Sequence, residues 1–215
     1  MDLPTVPYDL DDEMMARTRG DNQPRVRIYR FEGTAVVIGR GGKQELELHT
    51  DHIATDGVTL YKRPGGGCSV VLDPGNVIVS LVLPLPGIGL IKSAFAAISD
   101  WLIAGLAECG AAGVQQRGVS DLVLSERKIG GSCVYRTRGL LYYSTTLLCA
   151  QNMPLVSRYL QHPPREPEYR QGRPHELFMG SLSAACGVSL NDKFVMTLNS
   201  NLHKHLSLLS AISHK

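Results

Sequence analysis

Three glycine-bearing stretches, each beside a basic residue, are the parts of this sequence best suited to hold an anion. They are Val37-Ile38-Gly39-Arg40-Gly41-Gly42-Lys43, Lys62-Arg63-Pro64-Gly65-Gly66-Gly67-Cys68 and Arg127-Lys128-Ile129-Gly130-Gly131-Ser132. Glycine lets a backbone approach a ligand and present successive N–H groups, while Lys or Arg supplies the charge that phosphate or carboxylate requires. None of the three matches GxxxxGK(S/T), so a P-loop is excluded, and none is a GxGxxG ahead of a helix. One glycine pair after a strand is usually a turn. Three such stretches, all beside cations and all leaving short strands, point to an anionic ligand lying across a sheet and cradled by loops.

The elements that must position these loops are read from periodicity. Arg25–Phe31 alternates polar and apolar residues as a half-buried strand does, and Ala35–Ile38, Val58–Tyr61, Ser69–Leu72 and Val77–Leu83 are further β-like runs. Asp73-Pro74-Gly75-Asn76 has the composition of a tight turn and predicts a hairpin between the last two. Phe95, Ile98, Leu102 and Leu106 recur at helical spacing, so Leu90–Cys109 reads as a helix stopped by Gly110. Leu122–Leu124, Ser132–Tyr135 and Leu140–Leu148 read as strands, Asn152–Leu160 as a short helix, Pro163–Pro174 as an ordered loop and Leu190–Leu209 as a helix. The expected fold is α+β, with a central mixed or antiparallel sheet flanked by helices.

The chain has 215 residues, 43% of them hydrophobic and 20% charged, which suits one domain spanning residues 1–215. A net charge of +2, 6% aromatic residues and a single Trp101 give no electrostatic or stacking surface for nucleic acid. No apolar run is long enough for a membrane span, and the acidic start MDLPTVPYDLDDEMMARTRG is unlike a signal peptide. Five scattered cysteines without a CxxC pair suit reduced thiols, so the expected location is the cytoplasm.

Four motifs, in order, carry a resemblance to a known family. Lys62-Arg63-Pro64-Gly65-Gly66-Gly67 followed by Asp73-Pro74-Gly75-Asn76 is similar to an arginine pair, a glycine run and a His-Asp-x-Gly-Asn turn. Ser120-Asp121-Leu122 followed by Lys128-Ile129-Gly130-Gly131-Ser132 is similar to Asn-Asp-Leu and Lys-x-x-Gly-Ser, and Tyr142-Tyr143-Ser144-Thr145-Thr146-Leu147-Leu148 to a His-His-Gly-Thr-Leu-Leu strand. Val36-Val37-Ile38-Gly39-Arg40 is similar to an early Val-Ile-Gly-Arg. Together they resemble the lipoate–protein ligase A family of the biotin/lipoate ligase superfamily, from about Asp11 to the C-terminal helix.

The resemblance implies a ligase that uses ATP and Mg²⁺ to convert lipoate or octanoate to an acyl-AMP, then passes the acyl group to a lysine of a lipoyl-type acceptor. The acceptor would be similar to a glycine-cleavage H protein or a 2-oxoacid dehydrogenase lipoyl domain. Lys128 would be the catalytic cation at the acyl carbonyl and α-phosphate, since a mobile ammonium can stabilise charge at both steps. Arg63, Gly65, Gly66 and Gly67 would hold the acyl group and phosphates, and Asp121 would contact Mg²⁺ or nucleotide. Gly39, Arg40, Asp73, Asn76, Gly130, Gly131 and Ser132 complete the implied site, with Val70, Val77 and Ile129 as candidates for an acyl tunnel.

The sequence departs from the family pattern at Leu72 and Tyr143, which stand where relatives have histidine, and at Lys62 and Cys68. The length leaves no room for the small C-terminal domain many such ligases carry, which implies either a self-sufficient catalytic domain or an accessory protein supplied in trans. Octanoyltransferases of the same superfamily, which use a thiolate and no ATP, are the alternative. Their cysteine lies either in the segment here reading Val114–Ser120 or near His162, and neither place holds one. A member that binds lipoate without transferring it is a second alternative, which the presence of Lys128 argues against.

Overall fold

A computed structural model describes residues 2–85, 90–210 and 212. The chain runs β1 (Val6–Pro7), α1 (Asp12–Asp21), β2 (Arg25–Arg30), β3 (Ala35–Ile38), α2 (Gln44–Glu47), α3 (Thr50–Thr55), β4 (Thr59–Lys62), β5 (Val70–Leu72) and β6 (Asn76–Pro84). It continues through α4 (Ile91–Glu108), β7 (Gln115–Arg117), β8 (Asp121–Leu124), β9 (Arg127–Thr137), β10 (Leu140–Leu148) and α5 (Met153–Tyr159). A 3₁₀ turn at Glu168–Arg170 precedes α6 (His175–Phe178), α7 (Leu182–Cys186), α8 (Asp192–Lys204) and α9 (Ser207–Ser210).

The strands form two sheets. The larger is antiparallel, in the order β2-β6-β10-β9-β8-β7; the smaller is mixed, in the order β1-β4-β3-β5. This gives the α+β architecture with helices on the sheets that the sequence implies, but it splits the strands differently. β5 and β6 do not form the expected hairpin: β5 pairs with β3, and β6 pairs with β2 and β10. The Asp73–Asn76 turn therefore carries the chain from one sheet to the other.

Alternation divides the large sheet into two faces. Val77, Val79, Leu81, Leu141, Tyr143 and Leu147 point into the main core, where α4 supplies Ile98, Leu102 and Leu106 and α8 supplies Phe194, Leu198 and Leu202. Gly105 permits close packing of those helices, because a Cβ there would lie 2.4 Å from Leu202. The predicted C-terminal helix is broken after Lys204, and Leu209 reaches the same core from α9. A second core joins β3, β4 and β5 to α3 and α5 through Val36, Ile38, Ile53, Leu60, Val71, Val156 and Tyr159. The other face of the large sheet looks toward the small sheet, and a cavity lies between them.

Candidate functional site

The cavity has a volume of about 400 Å³. Its floor consists of alternate residues of two paired strands, Gly131, Cys133 and Tyr135 on β9 and their partners Thr146, Ser144 and Tyr142 on β10. Val37 of β3 and Val70–Leu72 of β5 face it from the small sheet, and residues of 163–179 close one side.

Lys128 reaches this floor because of a β-bulge. Residues 128 and 131 are three apart, so in a regular strand their side chains would lie on opposite faces. The register shifts between Leu122 and Val123: Leu122 pairs with Gly130 but Val123 pairs with Lys128, leaving Ile129 as the extra residue. A bulge changes the parity of a strand and re-aims the side chains beyond it. Ile129 is thereby sent to the main core, while Lys128 folds over Gly131. A Cβ on Gly131 would lie 3.1 Å from both Cε and Nζ of Lys128, so glycine leaves the space in which the lysine tip sits.

The Lys128 ammonium meets Asp121 Oδ1 at 2.7 Å, and Asp121 Oδ2 accepts from the Tyr169 hydroxyl at 2.8 Å. The Tyr169 phenol is held firmly protonated, first by burial and then by the Asp121 charge. Both carboxylate oxygens thus have partners, and the lysine is held but 26% exposed. Asp121 can offer a single carboxylate to a cation. Among the described residues no group of three or more His, Cys, Asp or Glu is arranged as a metal cage. Those donors fit a Mg²⁺ that arrives with phosphate oxygens and keeps part of its water shell, a common arrangement for this ion.

The Lys62–Cys68 stretch forms the lip. Arg63 donates to the carbonyls of Val37 (3.2 Å), Gly66 (2.9 and 3.2 Å) and Cys68 (2.7 Å), so its guanidinium chiefly clamps the loop. Arg40 N–H donates to Gly65 O at 2.9 Å, stitching this lip to the loop after β3. A Cβ on Gly39 would be 2.2 Å from Gly67 O, and Gly67 itself sits at φ +94°, so both positions require glycine.

The expected site residues thus divide. Arg63, Gly65, Gly67, Asp121, Lys128, Gly131 and Ser132 line the cavity, although the Ser132 hydroxyl is engaged with Tyr143 Oη at 2.8 Å. Gly39, Arg40 and Gly66 belong to the lip loops and Gly130 to β9, none of them on the cavity wall. Asp73 and Asn76 lie apart from the cavity wall in a buried network. Asp73 accepts from Gly75 N–H (2.6 Å), Gln151 Nε2 (2.6 Å) and Asn152 N–H (2.9 Å), while Asn76 accepts from Asp73 N–H and donates to Gln151 Oε1 at 2.5 Å. Val70 lines the cavity; Val77 and Ile129 belong to the main core.

Burial pushes the Cys68 and Cys133 thiols, both on the cavity wall, above their usual range, and raises Cys149 to about 12. A thiolate nucleophile is disfavoured at all three. Sequence reasoning missed Asp11, which accepts from Ser80 Oγ (2.6 Å) and Tyr142 Oη (2.7 Å) at the far end of the cavity. It also missed Tyr169, Arg170 and His175; for the first two, the mixture of aromatic and basic residues within the Pro163–Pro174 stretch was the available signal.

Residues 4–201 match the family described as the lipoyl protein ligase A/B catalytic domain. The chain belongs to this family. One curated member, a probable lipoate-protein ligase A of Mycoplasma genitalium, is 24% identical over 151 residues, 70% of this chain and 44% of the relative. The chain therefore spans less than half of that relative's length. Two solved members share the fold. One is the bipartite lipoate protein ligase of Thermoplasma acidophilum, studied with its lipoyl domain, at TM-score 0.73 and 19% identity over 96% of this chain and 82% of that one. The other is a lipoate-protein ligase A with ATP bound, at TM-score 0.73 and 21% identity over 97% and 84%. No helix among the described residues is long and apolar enough to cross a membrane.

Proposed function

We propose that this chain is a lipoate–protein ligase that activates lipoate or octanoate with ATP and transfers the acyl group to a lysine of a lipoyl-type acceptor domain. The observation that carries this reading is the Lys128–Asp121 pair, 2.7 Å apart, set by a bulge onto the floor of a cavity between two sheets. From Gly131, where the lysine tip rests, β9 continues four residues to Tyr135, roughly 13 Å of strand. That length accommodates an extended octanoyl chain lying over Cys133 toward Met15, Tyr135 and Tyr142. The solved relative with ATP bound, and a Thermoplasma acidophilum protein solved with lipoic acid bound, support these ligand classes.

In the first step the acid's carboxylate oxygen attacks the α-phosphorus of ATP and pyrophosphate leaves, giving an acyl-AMP. Lys128 stabilises the charge that grows on the phosphoryl oxygens; a Mg²⁺ brought in by the phosphates, with Asp121 as its protein carboxylate, would supply charge neutralisation at the leaving group. In the second step the acceptor lysine's amine attacks the acyl carbonyl and AMP departs, with the same ammonium beside the developing oxyanion. Asp121 and Tyr169 orient Lys128 between these uses.

The deciding experiment incubates the protein with ATP, Mg²⁺ and lipoate or octanoate and looks for acyl-AMP by mass spectrometry. Acyl-AMP that disappears in Lys128→Ala is expected. Acyl transfer from an acyl-carrier-protein thioester with no adenylate would overturn the ligase reading in favour of an octanoyltransferase.

A further inference from the structure

The end of the cavity farthest from Lys128 differs in chemistry from its middle. Along the middle, Val37 and Val70–Leu72 face the floor with aliphatic side chains, which suit the methylenes of an extended chain. From Ser144 onward the lining turns polar, with Asp11, Tyr135 and Tyr142. The register of β9 and β10 sets the distances. Cys133 and its partner Ser144 lie about 7 Å along the strand from Gly131, and Tyr135 and its partner Tyr142 about 13 Å. A site for a plain alkyl tail has no use for a carboxylate at its end. Ligand pockets are mostly apolar, and the few polar groups in them fix orientation and specificity.

Asp11 is 4% exposed, and its carboxylate is the hub of this end. Oδ2 accepts from Ser80 Oγ at 2.6 Å and from Tyr142 Oη at 2.7 Å. Oδ1 meets Arg27 Nη1 at 3.2 Å, long for a charged pair. The Arg27 side chain is 47% exposed, also donates to Leu10 O and stacks on the Tyr29 ring at 4.2 Å, so it neutralises the buried charge incompletely.

The hydroxyl protons at this end are spent inward. Tyr142 and Ser80 have one each, and both go to Asp11. Burial, and then the Asp11 charge, keep the Tyr142 phenol protonated. The Tyr142 oxygen and Asp11 Oδ1 therefore retain lone pairs for a further donor. Ser144 Oγ lies 3.4 Å from Ser80 Oγ but receives no proton from it, since that proton is committed to Asp11. Tyr135 Oη donates to Met15 Sδ at 3.4 Å, and a thioether is a weak acceptor. Acceptors thus outweigh donors around a buried carboxylate.

We propose that Asp11 and Tyr142 make the cavity selective for an acyl chain of octanoyl length whose far end carries a hydrogen-bond donor, a hydroxyl or a thiol, over a plain alkyl chain. The inference rests on the reading given above, in which the cavity holds an acyl group with its carboxylate at Lys128, and names the tail that the other end prefers. A donor at the tail shares its proton with the under-occupied acceptors and so offsets their loss of water. An alkyl tail excludes water without offering a bond in its place, and leaves a buried carboxylate short of partners.

Calorimetric titration of the full chain with ω-hydroxyoctanoate, ω-mercaptooctanoate and nonanoate tests this without requiring turnover, since these acids differ only in the terminal group. The hydroxy acid binds roughly ten- to a hundredfold more tightly than nonanoate, and the thiol roughly threefold or more; the tighter of the two identifies the tail. Asp11→Asn, which keeps the shape and loses the charge, lowers the preference for the hydroxy acid by about tenfold, and Tyr142→Phe lowers it by roughly three- to tenfold. Each variant weakens the hydroxy acid more than nonanoate, whereas a merely structural lesion weakens both alike. If Asp11→Asn does not fold, Tyr142→Phe carries the comparison. Nonanoate binding within twofold of the hydroxy acid in wild type overturns the proposal, as does an undiminished preference in either folded variant or binding of none of these acids. Acyl-AMP formed from octanoate without any preference for the hydroxy acid leaves the ligase reading standing and removes the tail selectivity. An Asp11-dependent preference in a chain that forms no acyl-AMP supports the selectivity while the ligase reading fails.

Discussion

The Asp73–Asn76 turn and the Asp121–Ser132 hairpin both carry an aspartate and glycine, and both belong to motifs that point to the same family. The structure uses them in opposite ways. In the first, every buried side-chain polar atom is committed within the chain: Asp73, Asn76 and Gln151 close a ring that anchors the crossing between the two sheets. In the second, Lys128 is held by a single carboxylate and remains partly open to the cavity. A saturated network spends its hydrogen bonds on shape, whereas one with spare capacity keeps them for a ligand. The contrast extends to 163–179, where, among the described residues, Arg170 Nη2 and His175 Nδ1 are buried without a hydrogen-bond partner.

Substitutions separate the two regions. Lys128→Ala reduces acyl-AMP formation by roughly 10²–10³-fold while costing less than about 1 kcal/mol of stability, because its ion pair is partly solvent-exposed; pyrophosphate exchange and urea unfolding measure the two. Asp73→Ala does the reverse. Loss of three hydrogen bonds to a buried carboxylate lowers unfolding stability by about 2–4 kcal/mol, with activity per folded molecule nearly unchanged. A folded Asp73→Ala protein with normal stability and no activity would abolish the distinction. Gly131→Ala pushes the Lys128 tip aside and lowers turnover by about tenfold at nearly constant stability, since small misplacements of a catalytic group are costly.

Two smaller effects sharpen the picture on the side of 163–179. Tyr169→Phe frees one Asp121 oxygen and costs about 0.5–1.5 kcal/mol of stability, read by denaturant titration. Burial lowers the His175 pKa, and this gives a pH signature. The unfolded chain takes up that proton more readily than the folded one, so stability falls as pH drops through the ordinary histidine value of about 6.5 toward the lower folded value. His175→Phe flattens that part of the profile, and thermal melting between pH 7.5 and 5 reports it.

Much of this was legible in the sequence where periodicity and composition agree. β2 and α4 lie close to their expected bounds because their apolar residues repeat with the element's own period, and β3 and β10 because each is a continuous β-prone run bounded by turn residues. α1 escaped notice because it buries little beyond Met14 and Thr18 and has no apolar stripe. The division into two sheets was hidden because a turn sequence reports a reversal, not which strand lies alongside the next. At the site, Lys128, Asp121, Arg63 and the glycines were visible as residue types, and seven of the expected residues line the cavity. The clamp role of Arg63 and the internal role of Asp73 were not, since both depend on backbone carbonyls and amides that the side chain meets only once the loops have folded.

The bulge at Ile129 makes the path of this strand matter as much as its composition. Substituting a residue between Val123 and Gly131 changes a contact; a pairing that irons out the bulge at the same residue count would turn the lysine through the sheet, into the layer of α4 and α8. An ammonium would then compete for space among aliphatic side chains while the cavity floor lost its charge. At this residue count the irregularity itself is what keeps the lysine and the glycine that leaves it room on one face of the sheet.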